Sequence, residues 1–386
     1  MQKRVFLLAA FAAWLVHQPG CAGWSAQPAE PELERRLYVA EDGRVSVYDI
    51  DEGHALVRTL RYPGADDFKG INVSLPLRRL YLSAHSSDQL YCIDLTTDEL
   101  IWRRSYGRYI DSPAITPDGM TLYVPVRESK PWTWSVVDAA TGDILGEIII
   151  EQSPIDPRYG KRESPDSPRW TKSRGPHNTR LSHDGRHVYL EAITSPWIHI
   201  ADTKTHEVVG RVGPFDPGVR PFTVNRDDTL AFANVDGLLG FSVGKVREGD
   251  RWGGPRLHRI EARPPAERVA QIGRREWRHH TPSHGVNLTP DERELWVVDG
   301  VYGYVYVYDA TVLPPSRVAT IPLFEDASEE PRPTWVSFSL DGRFAYPSSG
   351  QVIDTQTREI VARVAASEKL VEIDFLDGIP VAAGAR

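Results

Sequence analysis

The sequence contains little sulfur, with two cysteines and two methionines among 386 residues. Cys21 lies near the amino terminus, and Cys92 lies in an apolar segment at residues 90–94. A chain with so few thiols can form neither a disulfide framework nor a cysteine-rich zinc knuckle. We expect Cys92 to be a small buried apolar side chain.

The sequence also lacks an excess of positive charge. Its formal net charge is -8, and removal of the basic amino terminus would make it more negative. No broad positive field is therefore available to attract the phosphate backbone of a nucleic acid or an anionic membrane. We predict no nucleic-acid partner.

A short apolar run at residues 5–16 follows Lys3 and Arg4 and precedes small residues around Cys21. The run is too short to span a bilayer, and this order is typical of an export signal. We predict a signal peptide at residues 1–23, a linker at 24–34, and a periplasmic or secreted protein. A second interpretation stays open, in which Cys21 is lipidated and anchors the chain to a membrane; no other membrane contact is predicted.

Helical periodicity is almost absent, and thirty glycines and thirty prolines separate short alternating segments. The recurring unit is an apolar strand, a Ser/Thr-x-Asp-Gly corner, a second strand with an aromatic residue, and a third strand ending in Asp. Copies of the corner occur at residues 113–123, 179–189, 222–232, 286–296 and 336–346, with a degenerate copy at 71–81.

Six complete units begin near residues 68, 109, 175, 220, 283 and 333. Residues 36–59 lack a first strand, whereas residues 370–375 resemble a first strand without the rest of its unit. Four-stranded units of this kind bury their faces by stacking radially around an axis. We predict an all-β, seven-bladed β-propeller of four-stranded antiparallel blades over residues 35–386, its ring closed by pairing of the N- and C-terminal segments.

The corner Ser-x-Asp-Gly-Arg-x-x-Tyr, present at 182–189 and 339–346, and the Val-x-Val-x-Asp strands resemble the YVTN-repeat (YncE-like) family of bacterial seven-bladed propellers. The resemblance covers nearly all of the chain after the signal. It implies an exported propeller from a family with binding or scaffolding members, related to the propellers of lactonases and of cofactor-bearing oxidoreductases. Residues 138–142 also resemble a turn of quinone-dehydrogenase blades, but as this pattern is chiefly a turn between outer strands, we predict no cofactor.

Two insertions, at about residues 151–172 and 263–282, each lengthen the repeat by roughly twenty residues and enter the same face, here called the funnel face. Long loops on a rigid scaffold often carry function. Each insertion leads to a histidine that begins an inner strand, and the same position holds Lys69, Asp111 or Arg220 in other blades. The residues predicted to bind a ligand on the funnel face are Lys69, His85, Arg174, His177, Arg220, Trp277, His280 and His284.

Three functions fit these residues. A cationic, aromatic funnel recognises an anionic small molecule, peptide or glycan, or a protein partner, and needs no special geometry. A metal site of His177, His280 and His284 requires these side chains to converge. A lactonase-type hydrolase would use a histidine as general base, and residues 283–285 are similar to the Pro-His-Gly of lactonase propellers. Binding is our leading prediction, and a purely structural role for the histidines also remains open.

Overall fold

The computed structural model describes residues 32–151, 175–193, 195–272, 281–325 and 332–384. These residues form seven antiparallel blades in a ring, so the predicted seven-bladed β-propeller is confirmed. The first strands β4, β8, β12, β16, β22 and β26 contact one another in turn, and β30 contacts β4. The first strand of each blade therefore lies at the axis and the fourth strand at the rim.

Within each blade the four strands follow one another from the axis outward. Blade 1 consists of β4 (Phe68–Ser74), β5 (Arg79–Ala84), β6 (Gln89–Asp94) and β7 (Leu100–Arg104). Blade 2 consists of β8 (Ala114–Ile115), β9 (Thr121–Val126), β10 (Trp132–Asp138) and β11 (Ile144–Ile150). Blade 3 consists of β12 (Pro176–Leu181), β13 (His187–Ala192), β14 (Ile198–Asp202) and β15 (Val208–Val212).

Blades 4 to 6 follow the same order. Blade 4 consists of β16 (Val219–Val224), β17 (Leu230–Val235), β18 (Gly240–Lys245) and β21 (Arg256–Glu261). Blade 5 consists of β22 (Val286–Leu288), β23 (Glu294–Asp299), β24 (Tyr304–Asp309) and β25 (Ser316–Pro322). Blade 6 consists of β26 (Val336–Phe338), β27 (Phe344–Pro347), β28 (Gln351–Asp354) and β29 (Ile360–Arg363). A hairpin of β19 (Arg247–Glu248) and β20 (Arg251–Trp252) and a short helix α1 (Ala266–Ile272) lie outside the blades.

Blade 7 joins the two ends of the chain, as predicted. Its strands are β30 (Leu370–Leu376), β1 (Leu33–Glu41), β2 (Arg44–Asp49) and β3 (Ala55–Arg61), and β31 (Ile379–Ala383) pairs with the axial side of β30. The pairing of β1 with β30 extends from Leu33 opposite Leu376 to Val39 opposite Leu370. β1 thus includes the last two residues of the predicted linker, whereas the predicted signal peptide and Cys21 lie outside the described residues.

Seven apolar clusters fill the seven interfaces between neighbouring blades. The strand Tyr304–Asp309 is buried at five consecutive positions because a neighbouring blade covers each of its faces. Cys92 is buried in the cluster between blades 1 and 2, in agreement with its predicted role. Outer strands such as Ala55–Arg61 are exposed along most of their length.

The repeated corner motif forms hydrogen bonds within and between blades. The hydroxyl groups of Ser182 and Ser339 donate to the corner carboxylates of Asp184 and Asp341. The motif tyrosines are buried, and their hydroxyl groups contact the next blade, as in Tyr81 to the carbonyl of Ala139 at 2.6 Å. These bonds satisfy polar groups at the interfaces where the motif has tyrosine, whereas Phe232 and Trp296 hold the same repeat position in blades 4 and 5.

Between blades 4 and 5, α1 occupies part of the insertion predicted at 263–282. The buried guanidinium of Arg268 donates hydrogen bonds to the backbone carbonyls of Phe324 and Glu325 and so ties this segment to blade 5. The insertion predicted at 151–172 lies, apart from Glu151, outside the described residues. No helix in the described part of the chain is long and apolar enough to cross a membrane.

Candidate functional site

One residue near the start of each inner strand, here called the entrance residue, occupies an equivalent position in the strand register of all seven blades. In blade 1, Phe68 pairs with Ala84 and Gly70 with Ser83, so Lys69 lies at an irregularity of the ladder, and the same irregularity recurs at residues 177–178 and 220–221. Such a bulge redirects a side chain. From blade 1 to blade 7, the entrance residues are Lys69, Asp111, His177, Arg220, His284, Thr334 and Glu368.

Six of these seven entrance residues, all except Thr334, line a cavity of about 170 Å³, here called the central pocket. It brings together four of the eight residues predicted on the funnel face, namely Lys69, His177, Arg220 and His284. Arg174, Trp277 and His280 lie outside the described residues. The described lining consists of Lys69, Asp111, Ser112, Arg127, His177, Asn178, Ile193, Arg220, Pro221, His284, Trp335, Glu368 and Lys369.

His85 lies in the link after β5 and, as far as the described residues define it, is not part of this lining. Its ring stacks on Tyr109 with 4.7 Å between centroids, and its Nδ1 is 3.4 Å from the carbonyl oxygen of Ile110. Burial lowers the pKa of His85, so the ring is neutral at pH 7. These contacts hold the ring of His85 against Tyr109, so a ligand-binding role for His85 stays a prediction.

His177 is flanked by two buried carboxylates. Its Nδ1 is 2.8 Å from Glu191 Oε2, and its Nε2 is 3.7 Å from Asp111 Oδ1. Glu191 Oε2 also accepts from the backbone N–H of Asn178, while its Oε1 is buried and has no partner among the described residues. This arrangement holds the imidazole in one orientation at the wall of the pocket.

Asp111 is the most buried charged group of the entrance ring, with 1% of its surface exposed. Burial alone would raise its pKa, but the nearby His177, Arg127 and Lys69 outweigh burial and hold the pKa of Asp111 well below its usual range. Arg127 Nη1 donates to Asp111 Oδ2 at 3.1 Å. Asp111 is therefore ionised throughout the physiological range and anchors the positive groups around it.

Arg220 is held by a bidentate ion pair. Its Nε and Nη2 donate to the two carboxylate oxygens of Asp236 at 2.6 and 3.2 Å, and the hydroxyl of Thr281 donates to Asp236 Oδ1 at 2.8 Å. Arg220 is 6% exposed, so its guanidinium is both desolvated and preorganised. Both Nη1 donors remain uncommitted among the described residues.

The chain end supplies further charged groups from blade 7. Lys369 Nζ is 2.6 Å from Glu368 Oε2, and Lys369 is 4% exposed. Burial would raise the pKa of Glu368, but Lys369 and His284 hold it well below its usual value. The side chain of Glu368 remains 31% exposed, because the pocket that it faces is open to solvent.

A contact across the axis limits the depth of the pocket. The guanidinium of Arg180, on the inner strand of blade 3, lies 5.6 Å from the ring centroid of Trp335, on blade 6. Arg180 follows the entrance residue His177 by three positions along β12, so this cation–π contact lies below the entrance ring. It places a floor between opposite blades.

A second cavity of about 620 Å³, here called the side cleft, lies over blade 7 on the same face. It shares Lys69, Glu368 and Lys369 with the central pocket, so the two cavities have a common wall. Lys69 Nζ is 2.6 Å from Asp67 Oδ1 at this wall. The lining of the side cleft is Ala40, Glu41, Asp42, Arg44, Asp67, Phe68, Lys69, Ala366, Ser367, Glu368 and Lys369.

Within the described part of the chain, no group of three or more His, Cys, Asp or Glu side chains is placed to hold a metal ion. His177 and His284 line the same pocket, but His177 Nδ1 lies 2.8 Å from both Glu191 Oε2 and Asn178 Nδ2, and His284 Nδ1 lies 3.2 Å from the carbonyl oxygen of Thr334. The third predicted ligand, His280, lies outside the described residues.

Sequence reasoning missed Glu368 and Lys369. The predicted funnel-face residues all came from complete repeats, whereas β30 belongs to no complete repeat and is followed by Asp377 and Gly378 of the hairpin that leads to β31. These two residues could have been found by counting backward along the chain from the alternating buried positions of residues 370–375. Register shows that Leu370 matches Ile71, which assigns Glu368 to the position of Lys69.

No family model matches the chain, and no curated protein matches it. Several solved structures share its fold. A Pseudomonas aeruginosa periplasmic gluconolactonase, PpgL, has a TM-score of 0.62 at 15% identity, covering 92% of this chain and 99% of its own. The β-propeller domain of Myceliophteria thermophila Cps50 (Swd1) has a TM-score of 0.58 at 12% identity, with coverages of 83% and 89%.

Kuenenia stuttgartiensis hydrazine synthase has a TM-score of 0.56 at 14% identity, covering 84% of this chain and 90% of that one. The names of two of these proteins, a gluconolactonase and a hydrazine synthase, indicate different activities. At such identities the likeness concerns the fold alone, because one propeller scaffold serves many unrelated sites. The chain is thus a seven-bladed β-propeller with structural neighbours in several propeller families, and the YVTN-repeat resemblance stays a prediction.

Proposed function

We propose that this chain is an exported binding protein whose central pocket recognises a small ligand with an anionic group. The charge of the lining carries the proposal: the cations Lys69, Arg127, Arg220 and Lys369 outnumber the carboxylates Asp111 and Glu368. Two imidazoles, of His177 and His284, add neutral or positive donors. An anion at the centre of the ring would contact these cations directly, because the partner carboxylates of Lys69 and Arg220 lie outside the lining.

The size of the pocket favours a small ligand group. Its volume of about 170 Å³ is below the roughly 300–1,000 Å³ typical of sites for drug-sized molecules. The cations are already oriented by carboxylates outside the lining, Asp67 beside Lys69 and Asp236 beside Arg220. Because these side chains are ordered before binding, little conformational entropy is lost when a ligand arrives.

Removal of one pocket cation is expected to weaken anion binding at least tenfold. We predict that sodium gluconate, citrate or sulfate binds the protein in isothermal titration calorimetry at low ionic strength, and that Lys69→Met loses about 1.4 kcal/mol or more of that binding free energy. Lys204→Met is the matched control, because Lys204 is exposed in a turn between β14 and β15. Absence of binding by all three anions, or an equal loss in both variants, would contradict the proposal.

A second function, lactone or ester hydrolysis, is supported by the geometry of His177. When Nδ1 carries the proton, a carboxylate on it, here Glu191 at 2.8 Å, is the arrangement that orients a histidine general base; Asn178 Nδ2 lies at the same distance from this atom. In this role Nε2 takes a proton from the attacking water, the acyl C–O bond breaks, and the proton returns to the leaving alkoxide. The name of the structural neighbour from Pseudomonas aeruginosa, a periplasmic gluconolactonase, makes glucono-δ-lactone the first substrate to test.

For this second function, we expect the protein to hydrolyse glucono-δ-lactone faster than buffer alone, and His177→Asn to reduce the rate to that of buffer. His206→Asn is the control, since His206 lies in a turn away from the pocket and has a φ of 61°, which Asn tolerates. A pH-stat assay measures the rate. If the unmodified protein gives no acceleration, hydrolysis is rejected and binding remains the proposed function.

A further inference from the structure

The central pocket and the side cleft form one continuous recognition surface on the funnel face. Lys69, Glu368 and Lys369 belong to the lining of both cavities. The side cleft is several times larger, at about 620 Å³ against about 170 Å³. A ligand whose anionic group occupies the central pocket would therefore place any second chemical group across the shared wall, in the side cleft.

The side cleft differs from the central pocket in its balance of charge. Its lining has four carboxylates, against the cations Arg44, Lys69 and Lys369. Glu41 accepts from Arg44 at 2.6 Å, and Asp42 Oδ1 accepts from the backbone N–H of Asp67 at 2.8 Å. The wall thus presents both acceptors and donors, and neither sign of charge dominates.

We propose that the ligand is a sugar acid extended by at least one further sugar, with its carboxylate in the central pocket and its neutral sugar in the side cleft. Hydroxyl groups both donate and accept hydrogen bonds, so they match a wall that presents carboxylates beside ammonium and guanidinium groups. This inference rests on the proposed anion-binding function of the central pocket and adds the chemical class of the ligand.

Two other extensions fit the side cleft less well. A cationic extension such as a polyamine would meet Arg44, Lys69 and Lys369, and part of its attraction to the carboxylates would be cancelled. An apolar extension would displace water from the charged groups of the wall without replacing the hydrogen bonds of that water, which is unfavourable. A neutral polyhydroxylated group encounters neither difficulty.

Three probes separate the two parts of the ligand. Lactobionate carries a gluconate end and a galactose extension, gluconate carries the acid end alone, and lactose has no acid. By titration calorimetry we expect lactobionate to bind at least tenfold more tightly than gluconate, and lactose to show no measurable binding. Equal affinities for lactobionate and gluconate would overturn the extension into the side cleft.

A variant that fills the side cleft tests the location. Ala366 is exposed in the lining of the side cleft, so Ala366→Trp occupies the cleft without removing a charge. We expect it to abolish the advantage of lactobionate and to leave gluconate affinity within twofold. Ala55→Trp, at an exposed position of the outer strand of the same blade, is the matched control and should change neither affinity.

The outcomes distinguish this inference from the proposed function. If gluconate binds but lactobionate gains nothing, the anion site stands and the extended ligand is rejected. If neither acid binds the folded protein, the extended sugar acid is rejected, and the proposed function fails as well if citrate and sulfate also do not bind. If Ala366→Trp weakens gluconate and lactobionate equally, the side cleft is not a separate subsite and the inference is overturned.

Discussion

A chain that ends at Lys369 is expected to lose the cooperative unfolding transition of the propeller. The truncation removes β30 and β31, and with them the buried side chains of Leu370, Val371, Ile373 and Phe375. Burial of such side chains contributes about 1.5–3 kcal/mol each, so the loss approaches the total stability of about 5–15 kcal/mol of a typical domain. Circular dichroism during heating measures the effect.

A second truncation serves as the control for the first. Ending the chain at Gly378 removes β31 but retains β30, and the exposed side chains of Ile379 and Val381 bury little apolar surface. We expect the chain that ends at Gly378 to unfold cooperatively, with a midpoint within a few degrees of that of the full chain. A synthetic peptide of residues 370–384 should restore structure to the chain ending at Lys369. Cooperative unfolding of the longer truncation at the original temperature would show that pairing of the chain ends is dispensable.

The substitution Asp374→Asn is expected to stabilise the protein more at pH 8 than at pH 5. Burial raises the pKa of Glu372 to about 7, and the charge of Asp374, whose own pKa is raised by burial, adds to this shift. Both lie on β30 beside Arg35, which contacts Glu372 Oε1 at 3.0 Å. Above pH 7 the two carboxylates repel each other at the joint that closes the ring.

The direction of the pH dependence follows from the raised pKa of Glu372. A carboxyl group whose pKa is higher in the folded state stabilises the fold below its unfolded pKa, and this stabilisation is lost as pH rises through about 7. For Glu372 the loss between pH 5 and pH 8 is about 2–3 kcal/mol. Asp374→Asn removes the repulsion and should recover about 1 kcal/mol of the unfolding free energy at pH 8.

The shifted pKa values of the neighbouring groups lie outside the range from pH 5 to pH 8. Burial, aided by Arg35, lowers the pKa of His54 to about 4, so His54 stays neutral from pH 5 to pH 8. Asp341, 2.9 Å from Arg35, has a lowered pKa because its hydrogen bonds and Arg35 outweigh burial, and Asp51 lies 3.3 Å from the same guanidinium. Both carboxylates are outside the joint itself.

Urea unfolding at pH 5 and pH 8 measures the change in unfolding free energy for the variant relative to the original protein. Asp377→Asn, in the exposed turn after β30, is the charge-matched control and should shift both values equally. Identical stabilisation by Asp374→Asn at the two pH values would show that the carboxyl pair does not titrate as described.

The repeat pattern was sufficient to predict the propeller, the number of blades and the closing blade. Strand alternation and the Asp-Gly corner are local properties of the chain, and a local rule repeated at a fixed period specifies the whole ring. For the same reason the pattern placed Lys69, Asp111, His177, Arg220 and His284 at equivalent positions, and the structure brings them to one pocket.

Residues outside the pattern were not predictable in this way. Glu368 and Lys369 precede a strand that belongs to no complete repeat, so their position became clear only through the pairing of β30 with β1. His85 shares the funnel face but stacks on Tyr109 instead of lining the pocket, because the conformation of the link decides where its ring lies.

The sequence thus specifies the scaffold and the entrance positions, whereas the electrostatic character of the pocket depends on the tertiary structure. The predicted funnel was cationic, yet the folded chain brings Asp111 to Arg127, Asp236 to Arg220 and Glu191 to His177. Each partner comes from the neighbouring strand or link. The distance between the two charged groups depends on bulges and loop conformations, which the alternation of apolar and polar residues does not encode. The interaction between two charges weakens with distance and strengthens as burial lowers the effective dielectric constant. Only the packed ring therefore decides which groups face a ligand and which neutralise each other.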